Sequence, residues 1–372
     1  MYGNKALVLR CLGALVAMAV LAGISGSVAS AEDRPGAVYV LTNQPTGNSV
    51  MVYARAADGT LSFSGSFSTG GKGAGTGADP LGSQGSLVLG RWRRLLFAVN
   101  AGSNDLSLFA VGGLRLRLLD RVASGGQMPV SVAVHGHLVY VLNAGGTPNV
   151  KGFVLEPCAC RLVPLLGSKR TLPGGSSSSP AEVAFSPDGD SLMVTEKGTN
   201  KIDTWTVNDE GFAENGTTTD SSGATPFGFT FVHDFAIVSE AGPSALSSYE
   251  LEDNAHLQLL TASLADTQKA NCWVLATKNT RYAYTTNTGS GTISSYSIAR
   301  GGTLSLLSAI AANTGAGTAP VDMALSDDGR FLYAREAVKG KVDVFRVESD
   351  GSLTPIGSAG GVPAGAQGVA AR

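Results

Sequence analysis

The stretch Pro180-Ala181-Glu182-Val183-Ala184-Phe185, which turns through Ser186-Pro187-Asp188-Gly189 into a strand closing on Val194-Thr195-Glu196, decides the fold. Its first half is an apolar run too short for a helix, and Ser-Pro-Asp-Gly is a tight-turn signal between two strands. Lys201-Ile202-Asp203-Thr204-Trp205-Thr206-Val207 then alternates polar and apolar residues, and Asp209-Glu210-Gly211-Phe212 turns into a fourth strand. Four short strands joined by hairpin turns within about 45 residues make one blade of a propeller.

The same unit recurs on both sides. Strand ends equivalent to Glu196 fall at Asn43, Asn100, Asn143, Glu240, Asn287 and Glu336, so successive ends lie 57, 43, 53, 44, 47 and 49 residues apart. First strands start at Pro129, Pro226 and Pro320, with Gln84 and Asn271 opening the others. Asp58-Gly59-Thr60-Leu61, Gly301-Gly302-Thr303-Leu304 and Asp350-Gly351-Ser352-Leu353 repeat the outer turn. Ala37-Val38-Tyr39-Val40 reads as a second strand lacking a first, and Ala366-Gln367-Gly368-Val369-Ala370 as a first strand with nothing after it. One blade is therefore assembled from both ends, which closes the ring and protects its edges. No amphipathic helix interrupts the pattern. The expected architecture is all-β: a seven-bladed β-propeller, four antiparallel strands per blade, as a single domain over residues 32–372.

The first 31 residues are read as a secretory signal. Lys5 and Arg10 precede an apolar run from Cys11 to Ile24, and Ala29-Ser30-Ala31 supplies the small-residue cleavage pattern. An exported protein, periplasmic or extracellular after cleavage near Ala31, is the expectation. No later stretch is long and apolar enough to insert into a membrane. Losing residues 1–31 removes Lys5 and Arg10 and no acid, which moves the formal charge from −2 to −4. A mildly acidic chain lacks the concentrated basic surface that nucleic-acid binding needs. Cys158-Ala159-Cys160 in a hairpin turn is read as a local structural pair, with a disulfide allowed by an oxidising compartment.

Strand direction sets the geography. Blade-to-blade connections and second-to-third-strand loops share one face, the top, and hairpin turns occupy the other. The ring of strand-end residues and the starts of the first strands then meet around the top of the channel, where loops on a rigid scaffold usually carry binding residues. Asn43, Asn100, Asn143 and Asn287 suit a turn-forming role. Glu196, Glu240 and Glu336 do not, because Glu forms turns poorly and carboxylates near one cavity repel each other unless something binds them. Glu182 and Asp322 add acidic lining near first-strand starts. The four His residues, His135, His137, His233 and His256, fall in or beside bottom-face turns. The run Gly70-Gly71-Lys72-Gly73-Ala74-Gly75-Thr76-Gly77 lacks the spacing of a phosphate loop and reads as the first blade connection.

This organisation resembles the lactonase-type seven-bladed propellers, the family that includes 6-phosphogluconolactonase-like proteins. The matching pieces are the Ser-Pro-Asp-Gly turn at 186–189, the strand-end Asn positions, the Asp-Gly-x-Leu turns at 58–61 and 350–353, and the terminal exchange. Tyr140-Val141-Leu142-Asn143 also resembles the repeats of non-catalytic surface-layer propellers. The resemblance implies hydrolysis of a small, sugar-type lactone, with Arg and His after a first-strand Pro and a Glu closing the next strand. Here Glu240 matches, while Phe227 and Gly228 stand where Arg and His are expected.

The expected site follows. Glu240 and Glu196 are the general-base candidates and Lys197 the oxyanion stabiliser; Gln84, Asn100, Asn143, Glu182, Asn287, Asp322 and Glu336 are placed as ligand-binding residues. No cofactor is expected, although carboxylates with Asn carbonyls also suit Ca²⁺. The expected partner is a small lactone or carbohydrate-like ligand and the expected state a monomer, with neither nucleic acid nor membrane insertion. The alternative is a non-catalytic propeller binding a small ligand, glycan or protein.

Overall fold

A computed structural model describes residues 36–75, 77–90, 94–156 and 160–372. The leader and Cys158 lie outside the described residues. Seven four-stranded antiparallel blades follow one another, with an added short strand in the third. Blade 1 pairs Val369–Ala371 with Gly36–Leu41, followed by Ser49–Arg55 and Leu61–Ser68. Its terminal strands run antiparallel, Val38 opposite Ala371 and Val40 opposite Val369, as the sequence predicts. The inner strands of blades 2 to 7 are Leu87–Gly90, Gln127–His135, Pro180–Phe185, Pro226–Val232, Asn271–Ala276 and Pro320–Leu325. Each contacts the inner strand of the next blade and the last contacts blade 1, so the ring is closed.

Burial grades outward as a propeller requires. The second strands Gly36–Leu41, Ser191–Glu196, Tyr282–Asn287 and Phe331–Glu336 are buried at every residue. Outer strands such as Ala213–Asp220 bury only alternate side chains in part. That is the pattern of strands sandwiched between neighbouring blades against strands with one wet face.

Two devices repeat from blade to blade. A residue of positive φ stands at the entry to each channel wall: Ser179, Thr225, Ala270 and Ala319 directly before the inner strand, Met128 at its second residue, and Gly82 and Gly365 a few residues ahead of it. The backbone thus turns sharply from the top-face connection into the channel wall. The second device joins blades through tyrosine. Tyr140 Oη donates to Gly211 O at 2.8 Å, Tyr284 to Gly351 O at 3.0 Å and Tyr333 to Gly59 O at 3.3 Å. Each acceptor is the glycine of the next blade's outer turn, held at φ between +84° and +90°, which only glycine adopts without strain. At Tyr140 the hydroxyl also accepts from Ala213 N at 3.0 Å.

Tyr140→Phe removes both bonds and leaves a buried N–H and C=O without partners. We expect a loss of about 1–3 kcal/mol, read from urea denaturation; an unchanged midpoint would show that the tie contributes nothing.

Candidate functional site

The strand-end residues do not face the channel. All seven are buried, between 0% and 1% exposed, and their side chains anchor connections at the top of each blade. Asn100 Nδ2 donates to Asp105 Oδ1 (2.6 Å) and Ser107 Oγ (2.8 Å), while its Oδ1 accepts from Asn48 Nδ2 (3.0 Å) and Thr69 Oγ1 (2.7 Å). Asn143 donates to Ser124 O, and Asn287 to Thr292 and Ser294. Glu240 Oε1 accepts from Gly223 N at 2.7 Å and Ser247 Oγ at 2.5 Å. Glu196 accepts from Gly174 N and Thr199 Oγ1. The common partners are the incoming blade connection and residues five and seven positions later on the third strand. Gly71 and Gly73 belong to the same packing: a Cβ would lie 2.4 Å from the Asn100 side chain at Gly71 and 2.0 Å from the Asn43 carbonyl at Gly73, so these two glycines are fitted onto blades 2 and 1.

Two of these sockets hold paired acids. Lys341 Nζ lies 3.3 Å from Glu336 Oε1 and 2.6 Å from Asp343 Oδ1. Burial, with Asp343 alongside, pushes the Glu336 carboxyl up to about 8. Asp203 beside Glu196 is raised in the same way.

What fills the channel is the segment Asp79–Gly85. Its conformation explains why the inner strand of blade 2 begins at Leu87 rather than at Gln84. Ser83 O accepts from Trp273 Nε1 (3.0 Å) and Gln367 Nε2 (2.8 Å), and Ser83 Oγ donates to Val130 O (2.8 Å). Gln84 crosses the axis: Nε2 donates to Val274 O (3.0 Å), Phe229 O (3.1 Å) and Glu182 Oε1 (3.3 Å), and Oε1 accepts from Val274 N (3.0 Å). Lys197 donates to Gly82 O and sits 4.9 Å from the centre of the Phe227 ring.

Below this plug lies a cavity of about 440 Å³. Gln84, Glu182 and Asp322 form its inner end. Leu87, Leu275 and Met323 line it beside Thr230, and it runs past Gly90, Leu325 and Ala371 to Lys278 on the turn face. Glu182 and Asp322 occupy the same blade position, at the inner-strand bulge two residues after Pro180 and Pro320. Ser131, Gly228 and Trp273 are their counterparts on blades 3, 5 and 6. Glu182 Oε2 accepts from Phe229 N at 2.6 Å. Asp322 Oδ1 accepts from Met323 N (2.8 Å) and Oδ2 from Val369 N (3.1 Å). Asp322 holds φ +59°, a strained region for a side chain other than Gly or Asn, and these bonds compensate it.

Burial sets the protonation of the pair. Desolvation pushes Asp322 up to about 7 against the pull of the backbone N–H groups. Desolvation and then the charge of Asp322 hold Glu182 well above the ordinary carboxylate range. Two acids that burial raises in one cavity are groups of the kind that do acid and base work.

Of the expected site residues, then, the structure brings Gln84, Glu182 and Asp322 together on one cavity. Asn100, Asn143, Asn287, Glu336, Glu196 and Glu240 sit in separate sockets between blades, outside that cavity's lining. Lys197 is in the upper channel, one residue beyond the strand end. The sequence reading missed Asp79 and Gln367 as channel groups, while Arg335, which adjoins the strand-end Glu336 and was expected to offset its charge, stands in the upper channel. Gln367 and Gln84 each lead into an inner strand, two residues before Val369 and three before Leu87, and each is followed by Gly, so the repeat itself carried that signal. Among the described residues no group of three or more His, Cys, Asp or Glu is arranged to hold a metal, and no helix is long and apolar enough to cross a membrane.

The sequence matches no protein-family model and no curated protein. Solved structures share its fold. The periplasmic gluconolactonase of Pseudomonas aeruginosa superposes with a TM-score of 0.72 at 17% identity, over 90% of this chain and 98% of that one. A provisionally assigned 6-phosphogluconolactonase from Bacteroides fragilis gives 0.70 at 16% identity, over 94% and 99%. A protein from Lactobacillus plantarum gives 0.71 at 16%, over 91% and 98%. The chain thus shares the seven-bladed propeller fold of these structures.

The Glu336 socket makes stability depend on pH. Folding raises this carboxyl from 4.5 to about 8, so the folded chain keeps a proton that the unfolded chain gives up. Its stabilising contribution is complete below pH 4.5 and is lost as pH rises through about 8. Glu336→Gln should flatten the fall in urea midpoint between pH 5 and pH 8; parallel profiles for the two proteins would exclude this role.

Proposed function

We propose that the protein is an exported hydrolase of the lactonase type that opens a small, sugar-type lactone in the channel cavity, with Asp322 as general base and Glu182 as general acid. The observation that carries this reading is the acid pair at the end of a cavity of about 440 Å³, a size suited to one small ligand. At neutral pH Asp322 is partly ionised, and Glu182, held well above the ordinary carboxylate range, is assigned the role of proton donor. The Asp322 carboxylate takes a proton from water as the water oxygen attacks the lactone carbonyl. As the ring C–O bond breaks, Glu182 gives its proton to the departing ring oxygen, and a hydroxy acid results. Exchange with solvent then restores both groups. Gln84 fixes the position of Glu182 through its amide, and Lys278 at the far end of the cavity favours an anionic product. Export rests on the Lys5–Ala31 leader pattern.

A second reading draws on a separate observation. Both Asp322 oxygens accept backbone N–H groups, as does Glu182 Oε2, which suits polar side chains that hold strands rather than turn over substrate. On that reading the cavity binds a small ligand without reaction.

Purified protein offered a panel of sugar lactones in a pH-stat separates the two. The hydrolase gives acid release whose kcat/KM rises as Asp322 ionises near pH 7. Asp322→Asn and Glu182→Gln should each lower it by about 10²–10⁴-fold, the usual worth of a general acid or base. Ligand-induced stabilisation without acid release favours the binding protein, and activity that survives both substitutions removes the acid pair from the mechanism.

A further inference from the structure

The upper channel contains a group that neither reading uses. Arg335 stands on the second strand of blade 7, one residue before Glu336, and is 0% exposed. Its Nη2 donates to Pro363 O at 3.2 Å, while Nε and Nη1 have no hydrogen-bond partner among the described residues. A buried guanidinium with two idle donors is unfavourable by several kcal/mol unless something pairs with it. Asp322 and Asp79 act on it through space, yet neither accepts a hydrogen bond from Nε or Nη1.

Asp79 links Arg335 to a second cation. Its carboxylate, half-buried on the plug segment, is under the influence of both Lys197 and Arg335. Its Oδ1 accepts from Gly82 N at 2.8 Å. Burial raises Asp79 against the pull of Lys197 and the Gly82 N–H, and raises Cys272 to about 12, so the thiol brings no charge to the cluster. Lys197 keeps Phe227 beneath its ammonium and remains partly open to solvent. The surroundings are otherwise apolar: Phe227, Cys272, Trp273, Val321 and Ala337 form one packed group. Arg335 and Lys197 face Asp79 and Asp322 within an apolar wall, and the two unpartnered N–H groups of Arg335 are the donors that a small anion would satisfy, with little water to screen it.

We propose that the upper channel holds a site for a small oxyanion, a carboxylate or phosphate group, with Arg335 as its buried donor and Lys197 at its solvent side. The plug segment and Gln84 separate it from the acid-lined cavity, so this site stands whether or not the protein is a lactonase. Binding would supply partners for Nε and Nη1 and stabilise the folded chain by mass action.

The experiment compares melting temperatures of the full chain in sodium phosphate, sodium acetate and sodium chloride at matched ionic strength and pH. Phosphate or acetate should raise the midpoint above chloride by about 2–4 °C, a shift that corresponds to near-saturating occupancy in a chain of this size. A response to phosphate alone identifies a phosphate-type group, and a response to both a general oxyanion site. Arg335→Met, which removes the charge at similar volume, should lose the shift and melt higher than the parent in chloride. Lys197→Met, on a partly exposed side chain, should reduce the shift and provides the test if Arg335→Met does not fold. Equal midpoints in all three salts, or a shift that persists in Lys197→Met and Arg335→Met alike, would overturn the proposal.

Discussion

Each of the seven inner strands pairs with its own blade on one side and presents its other backbone edge to the channel, where no strand can pair with it. Buried N–H and C=O groups left alone there would each weaken the fold by about 1–3 kcal/mol. The rest of the channel is arranged around that constraint. Val183 N finds Ser131 Oγ, Phe229 N finds Glu182, Val369 N finds Asp322, and Val274 N finds Gln84. Val132 N finds the carbonyl of Gly85 on the plug. In most of these pairs one blade's bulge residue satisfies the strand of its neighbour, so the ring is held by side-chain donors and acceptors as well as by apolar packing.

The same constraint explains how acids come to sit in an apolar tube. A residue long enough to reach a neighbour's N–H must accept, and a carboxylate accepts without a competing donor. Once buried, the carboxyl holds its proton to higher pH, which is the property that an acid–base catalyst needs. Structural service and chemical competence are therefore not exclusive at Glu182 and Asp322. The strand-end acids Glu196, Glu240 and Glu336 are different, because every neighbour that they touch belongs to a blade or a blade connection.

Much of this fold was legible in the sequence. The Pro-led inner strands, the Asp-Gly outer turns and the exchange of terminal strands are local or periodic signals, and they specify the seven blades and their closure. The candidate site was legible in part. Glu182 and Asp322 were recognised as channel lining from their place after Pro180 and Pro320. The direction of the strand-end side chains was not, because alternation along a strand separates two faces without saying which abuts a cavity and which a neighbouring blade. Nor was the descent of Asp79–Gly85 into the channel, since a loop's partners on distant blades leave no periodic trace.

Gln84 joins partners 98, 145 and 190 residues away in the chain, whereas almost every strand pairs with a sequence neighbour. Contacts with such separations carry a large loop-closure penalty until the intervening chain is already ordered. Blades can therefore form singly and early, while the plug seats only after blades 4, 5 and 6 stand in place around the axis. The Val274 amide, held by Gln84 from across the channel, is protected only once that assembly is complete. Its exchange with solvent reports the age of the ring as a whole rather than the age of its own blade.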